Sequence, residues 1–178
     1  SIVDFVLKHL KKKTWLMIAY WCFCLMVAGA ALFIRIAIAG AFPLKNIIFH
    51  SFLGLLVLPL ISIPLHELIH VIPFLFTGAK NIRAGMDLKQ YMFYVTAHRH
   101  VVSAQQFIPI ALFPFLLISL ISVILIIQLP PLWKWSISLF FLVHTTMCAG
   151  DIAMLNFYVV NRGKKIYTWD DTDKKIAY

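Results

Sequence analysis

Apolar residues along this chain fall in four long blocks, separated by short polar or charged stretches. The blocks cover about residues 14–38, 46–77, 106–128 and 133–160. Each is long enough for a helix to cross a bilayer, which takes roughly 20 residues. Ahead of the first block, Ile2, Val3, Phe5, Val6, Leu7 and Leu10 mix with Asp4, Lys8 and Lys11, a pattern that predicts a short interfacial helix ending at Lys11-Lys12-Lys13. A signal-peptide reading, with Ala28-Gly29-Ala30 as a cleavage site, fits less well, because the apolar run continues past it. Pro59, Pro64 and Pro73 predict kinks or partial breaks in the second block.

Residues 79–103 break the apolar pattern. Lys80, Arg83, Asp87, Lys89, His98, Arg99 and His100 occur close together there. Within that stretch Tyr91-Met92-Phe93-Tyr94-Val95-Thr96 is rich in strand formers, and Ile82 to Leu88 is a segment that can pair with it. A β-hairpin at the membrane surface is expected. Leu129-Pro130-Pro131 reads as a tight turn, and residues 161–178 as a solvated or surface-bound tail. The expected fold is an all-α membrane protein: one domain over 1–178, a four-span helical bundle with a short cytoplasmic-side β-hairpin between spans 2 and 3.

Composition agrees with this. Of 178 residues, 62% are hydrophobic and 13% charged, too apolar a balance for a water-soluble domain. The formal charge of +9 does not point to nucleic acid, since Lys and Arg lie mostly outside the blocks, where they orient spans and meet anionic headgroups. The basic segments are the amino terminus, residues 79–103 and the tail. Positive-inside placement therefore puts both termini and the hairpin in the cytoplasm, with the chain as a multi-pass protein of the cell membrane. Cys22, Cys24 and Cys148 lie in apolar runs and read as buried small hydrophobes rather than a disulfide framework.

Against that background His66-Glu67-Leu68-Ile69-His70 stands out. On a helix, residues four apart share a face, so His66 and His70 can reach one ion. Glu67 lies beside that face, placed to act as base on a metal-activated water. Zinc suits the pair, because it accepts neutral imidazole and keeps a position open for water. Ionisable groups inside an apolar span are costly and rare without a function or a partner.

A catalytic zinc needs a third protein ligand. Of the seven acidic residues, only Glu67 and Asp151 lie within the apolar blocks. His66 is roughly 20 residues from the outer end of its block and Asp151 roughly 18 from the outer end of its own. At about 1.5 Å per residue both sit roughly 27–30 Å from the outer face, at one level near the cytoplasm. Asp151 is the favoured third ligand. A helix–helix hydrogen bond or a cap is the competing role, with Ala149-Gly150-Asp151 offering close backbone approach. His144 shares the Asp151 face and fits a second-shell partner, an alternative ligand or oxyanion donor, or a satisfied core histidine. Asn156 lies off that face and fits a second-shell or oxyanion role, or a packing contact. His50 is too far along its helix to join the pair, and His98 and His100 adjoin the water phase.

The combination of His66-Glu67-Leu68-Ile69-His70 on a membrane helix, a strand-forming cytoplasmic segment and Asp151 on a later helix resembles the site-2 type of intramembrane metalloprotease. The four-span layout with Ala149-Gly150-Asp151 is similar, more closely, to the zincin peptidase family of small bacterial membrane proteins, a domain of unknown function. This likeness runs from about Ile47 to Tyr158. It implies His66, His70 and Asp151 as ligands of one Zn2+ per chain and Glu67 as base. Site-2 proteases carry their aspartate in an Asp-Gly sequence, whereas here Gly150 precedes Asp151.

The expected activity is zinc-dependent hydrolysis of peptide bonds in membrane-associated substrates near the cytoplasmic face. A substrate helix must unwind to present its carbonyl, and Tyr91, Phe93 and Val95 form a candidate strand for it to join. Expected partners are a membrane protein or peptide substrate and the lipid bilayer, with no nucleic acid. Two other readings use the same residues. One is a non-catalytic metal-binding membrane protein that binds or regulates a partner helix. The other is a haem or metal-ion handling protein using His50, His66, His70 and His144. The presence of Glu67 favours the enzyme, since a purely structural zinc site needs no base.

Overall fold

The computed structural model describes residues 2–87, 92–164, 167–168, 170–171 and 176–177. It is mostly helical. Helix α1 (Ile2–Leu10) leads into α2 (Trp15–Ala37), whose first turn is capped by the Thr14 hydroxyl accepting from the Met17 N–H. Side-chain acceptance of an otherwise orphaned amide is what makes threonine a good start signal. The second apolar block forms one 33-residue helical run, Leu44–Phe76. It divides into α3 (Leu44–Phe52), a π-helical turn (Leu53–Val57), α4 (Leu58–Ile69) and α5 (Val71–Phe76).

The prolines account for these divisions. Pro59 lacks an N–H and its ring crowds the carbonyl one turn back. The chain answers by widening just before it, where the Leu58 N–H reaches the Leu53 carbonyl five residues earlier. Pro73 has the same effect on Ile69, and the helix breaks at His70, whose N–H bonds the Glu67 carbonyl at 3.2 Å. Pro64 is absorbed inside α4.

After α5 comes the expected hairpin. Strands β1 (Ile82–Asp87) and β2 (Met92–Ala97) pair antiparallel from Ile82↔Ala97 to Asp87↔Met92. The candidate strand residue Tyr91 lies outside the described residues, whereas Phe93 and Val95 are in β2. The short β3 (Val102–Ser103) runs into α6 (Ala104–Gln128) through a reciprocal cap between Ser103 and Gln106. Helices α7 (Pro131–Met147) and α8 (Ala149–Val160) meet at a bend of 40°. The tail returns to the body: β4 (Tyr167–Thr168) pairs with β3, and the Tyr158 hydroxyl meets the Thr168 hydroxyl at 2.6 Å. Beyond it, β5 (Asp170–Asp171) pairs with β6 (Ile176–Ala177).

Among the described residues, three helices are long and apolar enough to cross a membrane, or four if the bent α7–α8 pair counts as one span. Their outward faces expose Leu25, Leu32, Phe33, Leu60, Ile61 and Ile127, as in a membrane protein. Two buried clusters hold the bundle. Met17, Tyr20, Cys24, Ala111, Ile152 and Leu155 join α2, α6 and α8, with the Tyr20 hydroxyl donating to the Thr145 carbonyl at 2.8 Å. Phe74, Ala79, Ala97, Val102 and Ile110 fasten the hairpin to α5 and α6.

A polar clasp ties the second span to α7. The His50 ring is 2.8 Å from the Ser136 hydroxyl, which donates to the His50 carbonyl, and Trp135 donates to Ser51. Gly54, in the π turn beside this clasp, makes the approach possible. A Cβ there would overlap the Ser136 carbonyl oxygen and meet the Leu139 Cβ at 2.8 Å. Gly54→Ala is therefore expected to destabilise the folded protein by about 1–3 kcal/mol through overpacking. Thermal unfolding in detergent checks this, and an unchanged midpoint would contradict the close-approach account.

Candidate metal centre

Four helices converge on one buried polar cluster. From α4 come His66 and Glu67, with His70 at the break that follows. His66 and His70 are both buried, their ring centroids 5.0 Å apart. Asp151 sits in the first turn of α8. There the helix's unpaired N–H groups favour a negative charge. Its Oδ2 lies 3.1 Å from His66 Nε2 and 3.6 Å from His70 Nε2.

These spacings are a test of metal fit. Ligand atoms about 2.0–2.1 Å from a tetrahedral zinc ion lie about 3.3–3.4 Å apart. The two observed separations bracket that figure. The ligand atoms of His66, Glu67 and His70 also fall within 4.8 Å of one another. Both Asp151 separations are thus compatible with zinc, which accepts imidazole nitrogen and carboxylate oxygen.

The remaining ring nitrogens are also engaged. His70 Nδ1–H donates to the Ile110 carbonyl at 2.8 Å, which leaves Nε2 as the lone-pair nitrogen facing Asp151. His66 Nδ1 lies 3.2 Å from His144 Nε2. Partners of this kind fix tautomer and ring orientation of a metal-binding histidine. Glu67 is half-buried, on the helix α4 that packs against β2.

The structure brings together His66, Glu67, His70, His144 and Asp151. The matched depths counted along two separate apolar blocks appear as direct contact. Of the roles read for Asn156 the structure shows the packing one and not the second-shell or oxyanion one, and the close approach expected at Gly150 is corrected. Asn156 is fully buried but points away from the cluster. Its amide accepts from the Thr14 hydroxyl and donates to the His9 carbonyl at 2.7 Å, locking α1 and the start of α2 onto α8. Gly150 marks no close approach, since a Cβ there would meet nothing within 4 Å. His50 is occupied by Ser136 in the clasp, and His100 lies 3.2 Å from the Thr77 hydroxyl at the end of α5.

Two contributors had escaped the sequence reading: the Ile110 carbonyl and Cys148. The first is a backbone atom with no residue-type signal. Cys148 is wholly buried as expected, yet its Sγ lies 3.7 Å from His144 Nε2. The signal for that pair was its four-residue spacing on one helix face.

Paired histidines, a carboxylate from a later helix and an adjoining glutamate, gathered among apolar helices, are compatible with a metal centre. The family described as "Putative zincin peptidase" matches residues 59–167, from α4 to β4, and the chain belongs to it. That span contains every residue of the cluster. No curated protein and no solved structure matches the chain. Family and donor set together support a metallopeptidase, with zinc as the metal implied.

Loss of the His144 ring frees the His66 ring to rotate and to change tautomer. His144→Ala is expected to weaken zinc binding by about 10–100-fold, measured by competition with a chromogenic chelator. Asn156→Ala is expected to leave zinc affinity unchanged while lowering stability by about 1–3 kcal/mol, because buried polar partners lose their bonds.

Proposed function

We propose that this protein is a zinc-dependent intramembrane peptidase that cuts membrane-associated substrates near the cytoplasmic face, with His66, His70 and Asp151 as zinc ligands and Glu67 as general base. The observation that carries the reading is the Asp151 carboxylate within 3.1 and 3.6 Å of two histidine nitrogens, with Glu67 beside them. Zinc bound there supplies a Lewis acid that polarises the scissile carbonyl and activates water for attack. Glu67 takes the proton from the attacking water and delivers it to the leaving amine. His144 and the Ile110 carbonyl hold the two imidazoles in orientation.

The hairpin's position supports a binding mode for an extended substrate. Strand β2 packs against α4, the helix that carries Glu67, and among the described residues its sheet holds β1 and β2, with an outer edge on β2. A peptide unwound from its helix gains backbone partners by lying along that edge, past Phe93 and Val95. A cleft of about 500 Å³ lies between α5 and the start of α6, lined by Ile72, Pro73, Phe76, Thr77, Gln106 and Pro109. Its mixed apolar and amide lining suits the passage of such a segment out of lipid. Basic residues at the amino terminus, around the hairpin and in the tail support placing these parts in the cytoplasm.

Cleavage of a co-expressed membrane substrate, paired with metal analysis, tests the assignment. Glu67→Gln is expected to retain zinc and lose at least about 10²-fold in cleavage rate, the scale of general-base catalysis. His66→Ala, His70→Ala and Asp151→Ala are expected to lose both. Wild-type cleavage by Glu67→Gln would remove the proposed mechanism, and full zinc content in Asp151→Ala would remove its third ligand.

A further inference from the structure

The polar cluster contains a second set of donors that the peptidase centre does not use. His66 Nδ1 lies 3.2 Å from His144 Nε2, and Cys148 Sγ lies 3.7 Å from that same nitrogen. The ligand atoms of these three residues fall within 4.8 Å of one another, and His144 and Cys148 are wholly buried. Around a tetrahedral ion with nitrogen at about 2.0–2.1 Å and sulfur at about 2.3 Å, neighbouring donors lie about 3.3–3.6 Å apart. The observed spacings agree to within a few tenths of an ångström. Two imidazoles and a thiolate are a softer set than two imidazoles and a carboxylate, and they select thiophilic ions.

His66 belongs to both sets through opposite ring nitrogens. A neutral imidazole carries a single ring hydrogen. With it on Nδ1, His66 donates to His144 and presents a free Nε2 beside His70 and Asp151. With it on Nε2, His66 donates to Asp151 Oδ2, 3.1 Å away, and presents a free Nδ1 to His144 and Cys148. Both hydrogen bonds are already in place geometrically. Moving one hydrogen across the ring selects between them without moving a side chain.

We propose that His66, His144 and Cys148 form a second metal site, selective for a soft divalent ion such as cadmium over zinc, which is exclusive with the peptidase centre because the two share His66. The second site stands on its three donors alone; the exclusivity rests on the proposed role of His66 as a peptidase ligand. On binding, the sulfur–metal bond forms as the Cys148 thiol proton leaves to solvent, and no electron changes hands. An ion held there withdraws a ligand from the peptidase centre, so thiophilic metals in excess act as inhibitors from inside the site.

Titration of the metal-free full chain in detergent with cadmium ions alone, followed in the near ultraviolet, tests this without any substrate. Asp151→Ala is expected to take up one cadmium per chain with a thiolate-to-cadmium charge-transfer band. Asp151→Ala combined with Cys148→Ser is expected to lose the band and bind at least about tenfold more weakly, as removal of a direct ligand demands. Cys148→Ala in the same background serves as the second variant. The unaltered chain in excess cadmium is expected to give the same band, so the result does not depend on a variant folding. In the unaltered chain, zinc and cadmium together are expected to total one ion per chain. A missing band in both the unaltered chain and Asp151→Ala, a band that survives both Cys148 substitutions, or two tightly held ions per chain would each overturn the proposal. Failure to cleave substrate leaves these spectra intact, and failure of the spectra leaves the Glu67→Gln comparison to decide the peptidase reading.

Discussion

An imidazole buried in an apolar bundle must have partners for both ring nitrogens, and His66 takes its two from different helices. Its Nε2 meets Asp151 on α8 and its Nδ1 meets His144 on α7. An unpartnered buried polar group costs about 1–3 kcal/mol, more if charged, so the cluster is stable only as a set. The rest of the architecture serves this demand. A straight α7–α8 helix would carry His144 and Asp151 along one line, whereas the 40° bend at Cys148 redirects α8 so that both reach the same ring. The break at His70 likewise releases that residue from the α4 axis, and its ring can pin to the Ile110 carbonyl on α6.

The helical blocks were legible because apolar length is a strong signal, and their predicted limits fall within a few residues of α2, Leu44–Phe76, α6 and α7–α8. The hairpin was legible from its strand formers. Within the site, the histidine pair followed from local spacing and Asp151 from matched depth. Depth counting treats each block as a rod, so it carries no information about a bend. For that reason His144 was left with several possible roles, Cys148 was read only as a buried small hydrophobe, and Asn156 kept a second-shell or oxyanion role beside the packing role that it has. The partners of Asn156 are Thr14 and the His9 carbonyl, more than a hundred positions earlier in the chain, and no local pattern links them. Gly150 misled for a related reason: a small residue permits close approach but does not require it.

The hairpin is joined to the helices by apolar packing. Ala79, Ala97 and Val102 pack with Phe74 and Ile110, so β2 is held by the same two helices that hold His70. The tail strand β4 braces β3 at the foot of α6. Base, metal donors and strand edge therefore share one framework. In the proposed mode of binding, a substrate on β2 is registered to α4 by the packing of strand on helix rather than by side-chain identity.

The π-helical turn at Leu53–Val57 has a consequence for the whole centre. A π turn accommodates one residue more than the α-helix around it. Each residue of an α-helix turns its successors by about 100°. The compass bearing of His66 and His70 is therefore set by a surplus residue far upstream, beside Gly54 and the clasp to α7. Deleting a single residue there would leave every donor present and helical but aim the pair roughly a quarter-turn away from Asp151. The centre is thus more vulnerable to a change of phase in its supporting helix than to many substitutions closer to the metal.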